Sequence, residues 1–356
     1  MSESSSAGRD PFVSVLAQAP AIDTLRAAIG RDKLASAYLF EGPSGTGKGK
    51  AAFALAEAVI ARSTPLALHA ELARRIQGGA HPDVRVFTPR AEGGRNLQVE
   101  VVRNEVLPFA QFAPFESKSA FVIFPDADVS FPEQHPEAAN AMLKTLEEPR
   151  PGVGFLLLSS RPDRLLQTIR SRCQRVRFQR LPDDVLHRIL EAAGVPEASR
   201  VVAVALADGR ADKALAVGRV GEDGRSAADL LFELALRTDE VAADGRPGAV
   251  VSMAEELARS PDLAGVLEAL TAFYRDVARA ALGMPDHALA FRHEAERIRA
   301  RARVVDARHA AEAVAGLREV EELIAVNANK DLAIADWLFS IGREPMPPRP
   351  KKRPVR

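Results

Sequence analysis

Short apolar runs alternate with helical patterns through the first half of the chain. Each run predicts a buried strand, and the segments between the runs repeat apolar residues at helical spacing. The predicted strands cover residues 37–40, 84–88, 120–124, 155–158 and 174–178. Strands separated by helices are typical of a parallel sheet with helices on both faces. The first half therefore predicts an α/β domain.

Beyond residue 181 the strand-like runs stop, and only helical patterns with Gly and Pro breaks continue. Ala-rich amphipathic segments of this kind favour helix. The two ends of the chain have a different composition: the first is Ser-rich, the last Pro-rich and basic, which predicts disorder. The predicted organisation is a disordered N-terminus at 1–10, an α/β nucleotide-binding-type domain at 11–180, a small helical lid at 181–222, an all-helical collar at 223–345 and a basic tail at 346–356.

Composition narrows the functional classes. The 356 residues carry 48 basic and 48 acidic side chains, so no strong overall charge attracts the chain to nucleic acid or membrane. The single cysteine, Cys173, excludes a disulfide framework and a Cys-rich zinc site within the chain. Since no segment approaches the roughly 20 apolar residues of a membrane span, and the N-terminus does not resemble a signal peptide, we expect a cytoplasmic protein.

A glycine-rich loop follows the first predicted strand and precedes a predicted helix. Its sequence, GPSGTGKG at 42–49, matches the phosphate-loop pattern G-x-x-x-x-G-K in the strand–loop–helix context that supports it. Gly42, Gly45 and Gly47 would let backbone amides face a phosphate, and Lys48 would lie on the β- and γ-phosphates. Gly49 replaces the Ser or Thr that usually binds Mg²⁺. The residues therefore leave two alternatives, a site for ATP and a glycine-rich turn that binds no nucleotide.

The acidic residues after the third strand form an incomplete catalytic pair. A hydrolysing P-loop enzyme needs an aspartate for Mg²⁺ and then a glutamate that activates water. In one register Pro125 and Asp126 occupy these positions; in the other, Asp126 binds the metal and Ala127 replaces the glutamate. An acidic turn that caps the next segment is an equally good interpretation. Ser160, at the end of the fourth strand, is the remaining candidate for a nucleotide site.

Three later segments carry a family resemblance. They are AANAMLKTLEEP at 138–149, FLLLSS at 155–160 and TIRSRC at 168–173, and they resemble the bacterial clamp-loader members of the AAA+ family. The resemblance implies that Arg172 acts as an arginine finger on the ATP of a neighbouring subunit, where it would stabilise transition-state charge. Without the resemblance, a surface arginine would be the simpler interpretation.

Within that family the chain is most similar to the non-hydrolysing delta-prime type, because of Gly49, the weak acidic pair and the segment HPDV at 81–84. The resemblance implies a stator that assembles with gamma/tau-like ATPase subunits and a delta-like subunit, and through them with a sliding clamp and primed DNA. Such a subunit is not itself catalytic but belongs to a DNA-directed DNA polymerase holoenzyme, a nucleotidyltransferase, and needs no cofactor of its own. The alternative is an active gamma/tau-like ATPase. An unrelated P-loop kinase leaves 138–180 unexplained.

The sequence departs from many relatives in two places. Residues 63–79 contain no cysteine, where those relatives have four that bind zinc. Because thiolates are what such a site needs, we expect no zinc and a helix over 67–76 instead. Residues 130–136 form a longer connection than usual, predicted as an extended loop without an assigned role.

Overall fold

The computed structural model describes residues 10–89, 96–221, 224–325 and 328–342, without the side chains of Ala198 and Ala325. The chain divides into two compact units. The first contains the residues up to 185 together with 209–211, and the second contains 186–208 and the residues from 212 onward. The predicted disorder at 346–356, and all but Asp10 of the predicted disordered N-terminus, lie outside the described residues.

The first unit is built on a five-stranded parallel sheet. The strands are β1 Ala37–Glu41, β2 Val84–Val86, β3 Ala120–Phe124, β4 Val153–Ser159 and β5 Gln174–Arg177. Their order across the sheet is β2-β3-β4-β1-β5, and every neighbouring pair is parallel. All five predicted strands are present, with ends that differ by one or two residues. The predicted α/β class is confirmed.

Alternate residues of the central strands pack into two separate cores. Tyr38 and Phe40 of β1 pack into one cluster of buried side chains, and Leu39 packs into another on the opposite face. β4 shows the same alternation, with Leu156 in the first cluster and Phe155 in the second. Because successive side chains of a strand point to opposite faces, helices must cover both sides. This explains why the strands are continuous apolar runs and do not alternate with polar residues.

The helices of the first unit cover these two faces. They are α1 Ala19–Gly30, α2 Lys48–Ala61, α3 His69–Gln77, α4 Val99–Val101, α5 Leu107–Gln111, α6 Ala127–Ser130, α7 Glu137–Glu147 and α8 Gln167–Arg170. A π-helical turn at Val102–Val106 joins α4 to α5. The helix predicted over 67–76 is confirmed by α3, which follows a 3-10 turn at Leu66–Leu68. The acidic turn predicted after β3 is present only at Pro125 and Asp126, because α6 begins at Ala127 with Asp126 at its N-cap.

The longer connection at 130–136 is hydrogen-bonded to the segment before α8. Glu133 N–H donates to Arg164 O at 3.2 Å, and Leu166 N–H donates to Phe131 O at 3.2 Å. Pro132 and Leu165 form an isolated antiparallel bridge between the two segments. Phe131 is fully buried, so the connection contributes to the core on that face of the sheet.

The second unit is helical. Its helices are α9 Asp183–Ala192, which begins at the end of the first unit, α10 Glu197–Ala207, α11 Ala211–Gly218, α12 Ala227–Asp244, α13 Pro247–Ala258, α14 Leu263–Ala281, α15 Ala295–Ala302, α16 Ala307–Ala325 and α17 Lys330–Gly342. The predicted lid helices therefore group largely with the predicted collar, and the boundary at 222 stays a prediction. Trp337 is buried in this unit and donates its Nε1–H to Ala313 O at 3.0 Å, as a core residue would.

Two buried carboxylates are part of the interior of the second unit. Asp239 accepts a hydrogen bond from the hydroxyl of Tyr274 at 2.9 Å and pairs with Arg301. Burial, with the neighbouring Asp239 carboxylate, raises the pKa of Tyr274 well above its ordinary value. Asp276 accepts backbone N–H groups of the segment after α14, at 3.0 Å and 2.8 Å. These acids join α12, α14 and α15 through polar contacts that the apolar pattern does not reveal.

Candidate functional site

At several positions of the glycine-rich loop, the backbone has a conformation that only glycine adopts without strain. Gly42, Gly45 and Gly47 have φ values of 149°, 67° and 96°. Gly42 also lies so close to β5 that an added Cβ would be 2.2 Å from the carbonyl oxygen of Phe178. The glycines therefore serve two physical needs, left-handed backbone and close approach of a neighbouring strand.

Lys48 fixes this loop from the inside. It begins α2, is only 7% exposed, and donates from Nζ to the carbonyl oxygens of Gly42 and Pro43, both at 2.6 Å. The hydroxyl of Thr46 also donates to Pro43 O, at 2.8 Å. These bonds turn the loop carbonyls towards one side chain. The predicted phosphate-binding residues Gly42, Gly45, Gly47 and Lys48 thus lie together in the loop between β1 and the start of α2.

Gly49 differs from the other glycines of the loop. It lies within α2, and an added Cβ would meet no atom within 4 Å. Space therefore does not require glycine at this position. A serine or threonine would fit, yet the chain lacks the hydroxyl that usually ligates Mg²⁺ there.

A short chain of polar contacts connects the loop to the ends of β3 and β4. The Nζ of Lys48 lies 3.3 Å from Ser160 Oγ, and the N–H of Ser160 donates to Asp128 Oδ1 at 3.2 Å. Ser160 was predicted at this site, and the structure brings it into contact with Lys48. Asp126 is exposed, and its carbonyl oxygen accepts the N–H of Ser130 at 2.8 Å. Asp128, two residues further on, is the carboxylate that joins the polar chain.

A segment distant in sequence also contacts the loop. Ala211 N–H donates to Gly45 O at 3.1 Å, and Leu181 N–H donates to Gly209 O at 2.8 Å. Arg210 is therefore carried next to the loop by its neighbours on both sides. Lys213, three residues further on, pairs with Glu268 of α14 within the second unit.

Arg172 follows α8 and is held by residues of its own chain. Its Nε–H donates to Glu147 Oε1 at 2.6 Å, its second terminal nitrogen pairs with the same oxygen, and NH1 donates to Thr168 O at 2.9 Å. The side chain is nevertheless 30% exposed. Neighbouring Cys173 is buried, and burial raises the pKa of its thiol to about 12. A thiol of this kind is inert at neutral pH.

Sequence reasoning missed two residues of this region. Asp128 lies in the same acidic segment as Asp126, and a helical offset of two residues decides which carboxylate faces Ser160. Glu147 ends α7 and is 25 positions from Arg172. Its only sequence signal is a carboxylate at a helix C-terminus, where the helix dipole disfavours negative charge.

The residues suit a phosphate better than a complete Mg²⁺-nucleotide site. The loop offers backbone amides, a helix N-terminus and Lys48, whereas Gly49 offers no metal ligand and Asp126 is followed by Ala127. Among residues 10–89, 96–221, 224–325 and 328–342, no three His, Cys, Asp or Glu side chains are grouped as metal ligands. In the same described ranges, no helix is long and apolar enough to cross a membrane.

The strand order β2-β3-β4-β1-β5 and the loop between β1 and α2 define a P-loop domain of the AAA+ type. Residues 17–182 match the family model described as DNA polymerase III, delta subunit. The match covers somewhat less than half of the chain, and this part of the chain is similar to that family.

Similar proteins carry related names. The chain is 34% identical to the DNA polymerase III subunit delta' of Bacillus subtilis over 179 residues, which are 49% of this chain and 52% of that protein. It is 31% identical to the Bacillus subtilis subunit tau over 215 residues, which are 58% of this chain and 37% of that protein. The matches span about half or less of these relatives. A solved gamma-subunit-related protein of Thermotoga maritima aligns over 89% of this chain and 98% of its own, at 17% identity and a TM-score of 0.47.

Proposed function

We propose that the chain is a non-hydrolysing subunit of a DNA polymerase III clamp loader that supplies Arg172 to the ATP of a neighbouring subunit. In this role it assembles with gamma/tau-like ATPase subunits and a delta-like subunit. The assembly loads a sliding clamp onto primed DNA. The observation that carries the proposal is a loop that keeps its phosphate-binding backbone but has glycine at position 49, together with a partly exposed arginine at 172.

The composition of the loop supports a chain that does not hydrolyse ATP. Hydrolysis needs Mg²⁺ between the β- and γ-phosphates and a base or water-positioning residue. Gly49 removes the metal ligand of the loop, and Ala127 or Pro125 replaces one member of the acidic pair in either register. Lys48 remains, but a lysine that cradles phosphate supplies neither the metal nor the attacking water.

The surroundings of Arg172 support its action on a neighbour. A finger must be a permanent cation that reaches beyond its own subunit, and a guanidinium is charged at any physiological pH. Arg172 is outside the polar chain that joins Lys48, Ser160 and Asp128, so it does not serve its own loop among the described residues. In related phosphoryl transfers an arginine supplied in trans accelerates the reaction by about 10³- to 10⁵-fold.

The test is the clamp- and DNA-stimulated ATPase rate of the reconstituted assembly, built from this chain and the partner subunits of the same organism. With Arg172→Ala we expect a fall of roughly ten-fold or more, with assembly unchanged by size-exclusion chromatography. Arg164→Ala is a matched control, because Arg164 is an exposed arginine of the same region. An unchanged rate for Arg172→Ala in an intact assembly would remove the finger from the mechanism.

An active ATPase is the second candidate. It is favoured by the similarity to subunit tau and by the open space at Gly49, which a bound metal ion and its waters could occupy. The isolated chain would then hydrolyse ATP at a rate that Lys48→Ala abolishes. A rate indistinguishable from that variant would exclude this candidate.

A further inference from the structure

Arg172 is held in one orientation by two groups of its own chain. The side edge of the guanidinium, formed by Nε and one terminal nitrogen, faces Glu147 Oε1. The other terminal nitrogen donates to the carbonyl oxygen of Thr168, one helical turn earlier, at 2.9 Å. An arginine fixed at two edges has lost most of the rotamer freedom that a free surface arginine keeps.

The contacts leave the guanidinium able to bind a phosphate. An arginine has five N–H donors. Within the described part of the chain, the hydrogen bonds of Arg172 use the donor on Nε and one on NH1, while NH2 makes an ion pair with Glu147 Oε1. At least one N–H therefore remains on each terminal nitrogen. Two N–H groups on adjacent nitrogens are what a bidentate contact with a phosphate requires.

The position of Glu147 is hard to explain by helix stability alone. It is the last residue of α7, where the dipole of the helix disfavours a carboxylate. Glu148, the next residue, is also an acid and is exposed, but no described residue pairs with it. The charge at 147 is thus unfavourable for the helix and favourable only for the guanidinium that it contacts.

We propose that Glu147 is a positioning residue that orients Arg172 for the ATP of a neighbouring subunit. This inference rests on the proposed function, because Glu147 acts only through the finger. Glu147 binds Nε and NH2 of the guanidinium, and Thr168 O accepts from NH1. The two terminal nitrogens therefore face one direction. Orientation of a reacting group before the chemical step lowers the barrier, because the entropy of ordering is already lost.

The experiment compares Glu147→Ala, Glu147→Gln and Glu148→Ala in the same reconstituted assembly, with kcat and KM for ATP as readouts. We expect Glu147→Ala to lower kcat by roughly three- to ten-fold, less than Arg172→Ala does. Glu147→Gln keeps an oxygen that can accept from Nε and should recover most of the rate. Glu148→Ala, at the same helix end, should leave kcat unchanged. Because both alanine variants remove an acid from the C-terminus of α7, neither should destabilise the chain.

The double variant Glu147→Ala with Arg172→Ala separates the two proposals. If Glu147 acts through the finger, the double variant has the rate of Arg172→Ala alone. If Arg172→Ala has no effect, the proposed function fails and the positioning role fails with it. If Arg172→Ala lowers the rate but Glu147→Ala leaves or raises it, only the positioning role is wrong. An equal loss in Glu148→Ala would assign the effect to the helix end and also overturn the inference.

Discussion

Replacement of Gly42 by alanine should destabilise the first unit, whereas the same change at Gly49 should not. Gly42 has a φ of 149°, and a Cβ there would lie 2.2 Å from Phe178 O, an atom of the β5 end that cannot move without the sheet. The backbone strain of an L-residue in a sparsely populated region costs about 1–3 kcal/mol. Overlap with a fixed neighbour costs about 1–3 kcal/mol more. We therefore expect Gly42→Ala to lower the free energy of unfolding by about 2–6 kcal/mol.

Gly49→Ala is the matched control on the same loop. Its Cβ would meet nothing within 4 Å, and the residue is within α2. Here alanine restricts the unfolded chain and favours the helix, which stabilises by about 0.4–1 kcal/mol. The change in the free energy of unfolding should therefore have opposite signs in the two variants, although both replace glycine by alanine.

Urea unfolding followed by far-UV circular dichroism measures both variants. The single tryptophan, Trp337, belongs to the second unit, so its fluorescence gives a second transition to compare. Thermal unfolding of Gly42→Ala should shift down by roughly 5–20 °C for a unit of this size. If Gly42→Ala unfolds within about 1 kcal/mol of Gly49→Ala, an amount typical of a surface change, then the close approach of the loop to β5 is wrong.

Three further changes test other polar groups. Burial raises the pKa of Asp276 above its ordinary value of 3.8. The contribution of the protonated side chain to stability is therefore fully present below pH 3.8 and is lost as the pH rises through the folded pKa. In urea unfolding from pH 3.5 to 7, the free energy of unfolding of the wild type should fall with this dependence, and that of Asp276→Asn should not. Asp83→Ala removes the acceptor of three successive N–H groups and a hydroxyl, and should cost about 2–4 kcal/mol with faster amide exchange at residues 115–117. Lys48→Met removes the Nζ donor from the carbonyl oxygens of Gly42 and Pro43, of which Pro43 O keeps the hydroxyl of Thr46. It should lower the melting temperature in buffer without nucleotide, by an amount equivalent to about 1–3 kcal/mol.

The sheet and the loop could be predicted because their signals are local. Each strand is a run of apolar residues, and the loop is eight consecutive residues whose glycines and lysine each have a physical reason. The strand order and the register of pairing, Leu39 with Leu157 and Arg175, were not predicted, because they depend on how distant strands meet. A short apolar run bounded by turn residues is enough to predict a strand that is buried on both faces.

The polar contacts could not be predicted in this way. Asp83 accepts from the backbone of residues 32 to 34 positions later, and Ala211 bonds to Gly45 across most of the first unit. Neither contact changes the apolar pattern, and each depends on how two loops meet at an edge of the sheet. The acidic segment shows the same limit, because α6 begins where a turn was expected and so Asp128, and not Asp126, contacts Ser160.

The loop has reasons to persist that do not depend on ATP. The Nζ of Lys48 donates to the carbonyl oxygens of Gly42 and Pro43. A side chain at Gly42 would overlap Phe178 O, and Gly45 O accepts the N–H of Ala211. Each of these roles is structural and each would be lost if the loop were replaced. Gly49 alone has no such role, because a side chain there would meet nothing. Under the proposed function, a chain that does not hydrolyse ATP can therefore lack a hydroxyl at position 49 while its fold keeps the rest of the loop.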